Sequence, residues 1–220
     1  MTQRGSPAAQ LALEWSQSVR SQLQQSRMSA DLLADNESFT VGVCACHVGA
    51  GATTIAQNLA VMLHERGGQP VVLVEGNLRT PVLASRSGVA VTRGFAEFAR
   101  GDEFMSTIVA DGVQRGVSLM AACGENMPLP LLRNAAARLP GLRQKFRHVL
   151  VDLPPVLDFP DATLLAAAMD GVVLVIEAEA TPWELARRAT KRLEAGGVKL
   201  LGVVLNKKPQ VLPGWLYRFL

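Results

Sequence analysis

Short aliphatic runs alternate with amphipathic segments along the chain, which predicts an α/β domain: a mainly parallel sheet with helices on both faces. Composition agrees. The 220 residues are 49% hydrophobic but only 5% aromatic, so the core is aliphatic, built from Val, Leu, Ile and Ala. That length suits one domain with a short appendage. A glycine-containing loop between the first strand and the first helix of the alternation is the third observation, and it places a candidate site.

The elements follow in order. Residues 8–27 read as a helix, with Leu11, Leu13, Trp15, Val19 and Leu23 set among polar residues. Residues 39–45 (FTVGVCA) read as a strand, and 53–66 as a helix in which Ile55, Leu59, Met62 and Leu63 recur at helical spacing before Gly67-Gly68 stops it. Residues 71–75 (VVLVE) form a second strand, apolar enough to be covered on both faces. The stretch 82–116 is less regular, with short helices expected around Gly94–Arg100 and Phe104–Asp111. Strands are expected at 117–122, 148–152, 172–176 and 200–205, and helices at 130–146, around Ala162–Met169, and at 182–195. Thr181, Pro182 and Glu184 read as N-cap, first helical residue and capping-box partner of the last helix. Six strands separated by helices imply crossover connections. Functional residues then belong in the loops at the strands' carboxyl ends, 46–53, 75–81, 152–161, 177–181 and 206–210. The expected organisation is an N-terminal helical segment (1–37), the α/β domain (38–208) and an apolar C-terminal tail (209–220).

Charge and cysteine content exclude several classes. Lys and Arg total 22 against 19 Asp and Glu, a net charge of +3, which is too small an excess for a dedicated nucleic-acid surface, and no nucleic-acid partner is expected. Three cysteines, Cys44, Cys46 and Cys123, exclude a disulfide framework and fit a reducing compartment. Strand alternation puts Cys44 and Cys46 on one buried face, as structural residues rather than metal ligands. The opening MTQRGSPAAQ lacks a signal-peptide core, and no run approaches the ~20 apolar residues of a membrane span, so a cytoplasmic location is expected.

The loop Cys46-His47-Val48-Gly49-Ala50-Gly51-Ala52-Thr53-Thr54 carries the chemistry. It joins a strand to a helix, with two glycines before the helix and two hydroxyls opening it. Glycines let backbone amides converge, and the helix N-terminus adds partial positive charge, so the loop is suited to cradling phosphates.

GAGATT followed by IAQNLA resembles the Walker segment of the deviant ParA/MinD-type ATPases, and within them the bacterial tyrosine kinases of capsule and exopolysaccharide systems. EGNLRTP at 75–81, HVLVDLPPVLDFPDA at 148–162, DGVVLVIEAEAT and LLGVVLNK at 200–207 resemble the kinases' later motifs in the same order. The resemblance runs from about residue 10 to 207 and implies a P-loop NTPase-like fold. It also implies a cofactor-binding loop of Gly49, Ala50, Gly51, Ala52, Thr53 and Thr54, an adenine-reading Asn206, and Mg²⁺ ligation by Thr53 and Asp152. Asn206 reads equally well as a polar residue capping a strand.

The chain departs from the family pattern where charge matters. Ala52 stands at the Walker lysine, His47 at the ParA-type signature lysine, and Glu75 and Asn77 at the two aspartates of the second motif. Asp152, the Walker B carboxylate, is kept. Phosphoryl transfer depends on charge placed around the transferring group, so Ala52, Glu75, Asn77 and Asp152 are read as the degenerate remains of a catalytic set, with ATP or ADP plus Mg²⁺ bound weakly or not at all. The family's tyrosine-rich tail is reduced here to Tyr217, the chain's one tyrosine. Its oligomerisation helix is matched at Glu14, Gln17 and Arg20, two of these being the family's residues, which marks a candidate interface for a homo-oligomer.

The expected function is that of a pseudokinase: a scaffold or regulator in exopolysaccharide, capsule or adhesive-polysaccharide assembly. The resemblance implies a partner, the cytoplasmic segment of an inner-membrane co-polymerase, and a peripheral location at that membrane. The alternatives are an active autokinase or ATPase using His47 and Glu75, and a ParA/MinD-type positioning ATPase.

Overall fold

The computed structural model describes residues 38–88, 90–101, 110–114, 116–122 and 127–208. The expected helix at 8–27, the candidate interface Glu14, Gln17 and Arg20, the strongly apolar tail and the helix start at Phe104 lie outside them.

The described elements are β1 (Phe39–Ala45), α1 (Ala52–Gly67), β2 (Val71–Glu75), α2 (Leu83–Ser87), α3 (Phe95–Arg100), β3 (Ala110–Gln114), β4 (Val117–Met120), α4 (Leu129–Arg138), a 3₁₀ turn (Leu139–Gln144), β5 (His148–Asp152), α5 (Pro160–Ala166), β6 (Gly171–Glu177), α6 (Trp183–Ala195) and β7 (Leu200–Asn206). They form one seven-stranded sheet in the order β3-β4-β2-β5-β1-β6-β7. Every pairing is parallel except β3 with β4. β1 runs between β5 and β6, and the chain leaves it toward β2 on one side and reaches β6 on the other. This is the switch point where an open α/β sheet forms a crevice at its carboxyl edge.

Strand alternation separates two apolar layers. Val41, Val43, Leu73, Leu150 and Val173 pack under α1 with its Ile55, Leu59, Met62 and Leu63. Cys44, Cys46, Val74, Val149 and Val151 point the other way, against Phe95 and Phe98 of α3, Leu132 of α4, Leu165 of α5 and Leu193 of α6. Both described cysteines are free and fully buried, as expected for structural residues. Gly42 of β1 lets α5 and its flanks approach: a Cβ there would lie 2.7 Å from Leu153 and 2.9 Å from Met169.

Four expectations are corrected. A seventh strand, β3, pairs antiparallel at the edge where a helix around 104–111 was expected to finish. The helix expected over 130–146 ends at Arg138, because Pro140 and Gly141 turn the chain into a 3₁₀ segment. The strand at 117–122 ends at Met120. Thr181 does not cap α6: the cap position is Pro182, with no side-chain cap bond, and the Thr181 hydroxyl is engaged elsewhere.

Candidate functional site

A cavity of about 390 Å³ opens at the carboxyl edge of the sheet beside the loop that follows β1. Its walls come from that loop, from Asn77, Thr80, Val82 and Arg86 after β2, from Leu153 and Pro155 after β5, and from Lys207 after β7.

Two glycines in left-handed conformations shape the loop, Gly49 at φ 90° and Gly51 at φ 96°. Gly51 is the N-cap of α1, with no side-chain cap bond and no acidic residue in the first turn. The first amides of this 16-residue helix are thus left for an anion. Ala52 opens α1 and, with Thr53 and Thr54, lines the cavity, so no ammonium rises from the helix start.

Asn206 is buried, and its Nδ2 donates to the Ala50 carbonyl at 2.8 Å. The side chain expected to read adenine here fastens the loop to the end of β7. His47 lies at the cavity with both ring nitrogens engaged. Nδ1 donates to the Val48 carbonyl at 2.9 Å, which leaves Nε2 to accept the Thr181 hydroxyl at 2.8 Å. The Thr181 oxygen in turn accepts the Glu177 N–H at 3.1 Å.

Thr53 and Asp152 meet as expected of a Mg²⁺ pair, the hydroxyl donating to Asp152 Oδ2 at 2.7 Å. Asp152 is 1% exposed, and its Oδ1 is buried without a hydrogen-bond partner. Burial pushes its carboxyl up from 3.8 to about 7; the Thr53 bond opposes this, Glu75 adds to it and Arg86 opposes it. Folding therefore raises the proton affinity of Asp152. The stability gained from it is complete below the unfolded value near 4 and is lost as pH rises toward 7. Asp152→Asn removes that loss. In ligand-free protein its melting temperature gains on wild type between pH 5 and pH 8 by about 2–4 °C or more, and an equal gap at both pH values would contradict the buried carboxylate's role.

An oxygen without a partner next to a threonine hydroxyl and a glycine cradle suits a hydrated Mg²⁺, which takes one or two protein oxygens and completes its shell with phosphate and water. Among the described residues no group of three or more His, Cys, Asp or Glu assembles for any other metal. Thr53 and Asp152 would hold the ion, and the loop and α1 amides the phosphates.

The second motif behaves differently. Glu75 and Asp152 are register partners at the ends of β2 and β5. Glu75 does not face the cavity as an open base. It is 1% exposed and accepts three backbone N–H groups, from Val82 at 2.5 Å, Leu83 at 2.6 Å and Ala122 at 2.9 Å. Asn77 closes a local turn, its Nδ2 donating to Thr80 Oγ1 at 3.1 Å and its Oδ1 accepting the Thr80 N–H at 3.4 Å. Gly76 between them tolerates no side chain, since a Cβ would sit 2.9 Å from Val151 and 3.0 Å from the Asp152 carbonyl. Arg79 ties this segment to α5 through Asp161 at 2.8 Å.

Three residues at the site were not singled out for it in the sequence, Thr181 having been read only as a helix cap and Lys207 only as the end of a motif. Arg86 falls in the stretch read as irregular, and Lys207 and Thr181 follow strands whose loops were marked only by position. Lys207 sits at φ 56° and pairs with Glu177 at 3.0 Å.

This sheet order, with a glycine loop after the central strand and a threonine–aspartate pair beneath it, defines a P-loop ATPase fold of the ParA/MinD kind. The cell-division ATPase MinD of Pyrococcus furiosus superposes with a TM-score of 0.63 over 83% of this chain and 78% of that one, at 22% identity. Nearer likenesses narrow the class. The chain is homologous to bacterial tyrosine-protein kinases and has the fold of their kinase domains. It is 25% identical over 175 residues to the tyrosine-protein kinase CpsD of Streptococcus agalactiae, covering 78% of this chain and 76% of that one. It is 31% identical over 163 residues to the putative tyrosine-protein kinase EpsB of Ralstonia nicotianae, and 26% over 185 residues to the succinoglycan biosynthesis transport protein ExoP of Rhizobium meliloti. Those two are much longer proteins, of which the matches span 21% and 23%. The VpsO kinase domain superposes with a TM-score of 0.77 at 25% identity, over 93% of this chain and all of that one. The BceF tyrosine kinase domain gives 0.71 at 29% identity, over 88% and 78%. No family model matches the chain.

Proposed function

We propose that this protein is a catalytically degenerate relative of the bacterial tyrosine kinases, a pseudokinase that acts as a scaffold or regulator in exopolysaccharide or capsule assembly. The observation that carries the reading is the state of the second motif: Glu75 is committed to three backbone amides and Asn77 to Thr80. With Ala52 at the helix start, the cavity has a cradle and a Mg²⁺ pair but no free carboxylate on this segment and no loop lysine for transfer chemistry. The reading of an ATPase with relocated machinery needs His47 and Glu75 free, and both are saturated.

The likeness to EpsB and ExoP supports a working place beside a membrane polysaccharide co-polymerase, with this chain as the cytoplasmic component. Among the described residues no helix is long and apolar enough to cross a membrane, which fits attachment through a partner. Homo-oligomerisation through Glu14, Gln17 and Arg20 belongs to the same proposal. Complementation tests it: a strain deleted for the gene loses polymer export, and Asp152→Asn at wild-type protein level restores it. A polymer-negative strain with normal amounts of that variant, when the purified variant still binds Mg·ADP as wild type does, would contradict a non-catalytic role.

A further inference from the structure

The cavity contains a cation that the loop motif does not supply. Arg86 lies on α2 and lines the same cavity as the glycine loop. Among the described residues it makes no ion pair with any carboxylate, whereas Lys207, the other strong cation of the lining, is held by Glu177 at 3.0 Å. Its charge reaches the buried Asp152, whose ionised form it favours.

Arg86 is also held in place. Glu75 accepts the N–H groups of Val82 and Leu83, the residues that start α2, and the Arg86 N–H bonds the Val82 carbonyl at 3.0 Å. The carboxylate at the degenerate motif thus fixes the turn from which the guanidinium projects. The same cavity is lined by the residues that open α1, whose amides are uncapped, and by Thr53, whose hydroxyl donates to the buried Asp152.

From this arrangement we infer that Arg86 replaces the missing loop lysine as the phosphate-binding cation, so the cavity still takes a polyphosphate, a Mg²⁺-bound nucleoside diphosphate or triphosphate. An arginine suits that duty because its planar fork meets phosphate oxygens in pairs. Arriving from α2, it binds the phosphate chain without standing at the start of α1, where the lysine would follow a transferring group. The inference deepens the pseudokinase reading and rests on it for the identity of the site: a cavity that holds nucleotide and does not spend it.

Calorimetric titration of the full chain with Mg·ADP tests it, with Mg·pyrophosphate as a second probe that carries phosphate alone. Wild type binds both. Arg86→Ala weakens both by roughly ten- to hundredfold, Arg86→Lys by less, and Ala52→Lys added to Arg86→Ala regains affinity. Melting temperatures within a few degrees of wild type show that the exposed position is not required for folding. Equal affinity of Arg86→Ala and wild type would overturn the inference, as would no binding of either probe by wild type. Both of those results would leave the non-catalytic reading standing, since it does not depend on how tightly the cavity holds phosphate.

Discussion

Glu75→Ala unfolds at a markedly lower temperature than wild type. The substitution leaves the N–H groups of Val82, Leu83 and Ala122 without their acceptor at a position 1% exposed. Unsatisfied buried donors cost about 1–3 kcal/mol each, so a total loss of about 3–5 kcal/mol is expected, with partial recovery by entering water. In a chain of this size that is on the order of 10 °C. Glu75→Gln recovers only part, because its amide nitrogen meets donors. Glu75→Asp keeps the charge and loses reach by one methylene. Thermal melts of the four proteins in the absence of nucleotide provide the measurement. If Glu75 were a catalytic base held open in the cavity, its removal would leave stability unchanged, so a melt identical to wild type would defeat this account of the second motif. The same variant weakens Mg·ADP binding, because α2 and Arg86 lose their anchor.

Gly51→Ala has the second large effect. The residue sits at φ 96°, and a Cβ there would lie 2.2 Å from Asn206 Nδ2. The left-handed backbone costs about 1–3 kcal/mol for a non-glycine residue, and displacing Asn206 forfeits its bond to the Ala50 carbonyl, worth about 1 kcal/mol. Gly49 provides the control. It is also left-handed, at φ 90°, but a Cβ there would meet nothing within 4 Å. Gly49→Ala is therefore the milder variant, and Gly51→Ala alone loosens the loop from β7. Equal destabilisation by the two would mean that Asn206 is not the latch.

Much of this molecule is legible in its sequence. The strands β1, β2 and β5 lie where uninterrupted aliphatic runs placed them, because strands buried on both faces have no polar alternation to blur their ends. The glycine loop was legible because strand, loop and helix occur in fixed order around it, and the Thr53–Asp152 pair through the resemblance of the motifs that hold them. What escaped depended on contacts distant in sequence. Nothing near Glu75 announces that Ala122, 47 residues away, donates to it. Nothing near Asn206 announces a bond to Ala50 across 156 residues. Thr181 has the residue type and position of a helix cap, but its hydroxyl is drawn to Glu177 and His47, and tertiary partners override the local signal. Arg86 belongs to a five-residue helix with no periodicity to find. The expectation that charge had simply been lost at this site came from reading the motif positions alone; the fold brings in a cation from elsewhere in the chain.

The central claim is that the cavity does not transfer phosphate, and incubation of the purified full chain with radiolabelled Mg·ATP tests it most directly. Tyr217 is the only tyrosine the chain could label on itself, and a tyrosine-containing acceptor peptide tests transfer in trans. The account predicts no label on either above the background of heat-killed protein, under conditions in which a tyrosine kinase control labels strongly. Label on Tyr217 or on the peptide that disappears in Asp152→Asn would contradict it.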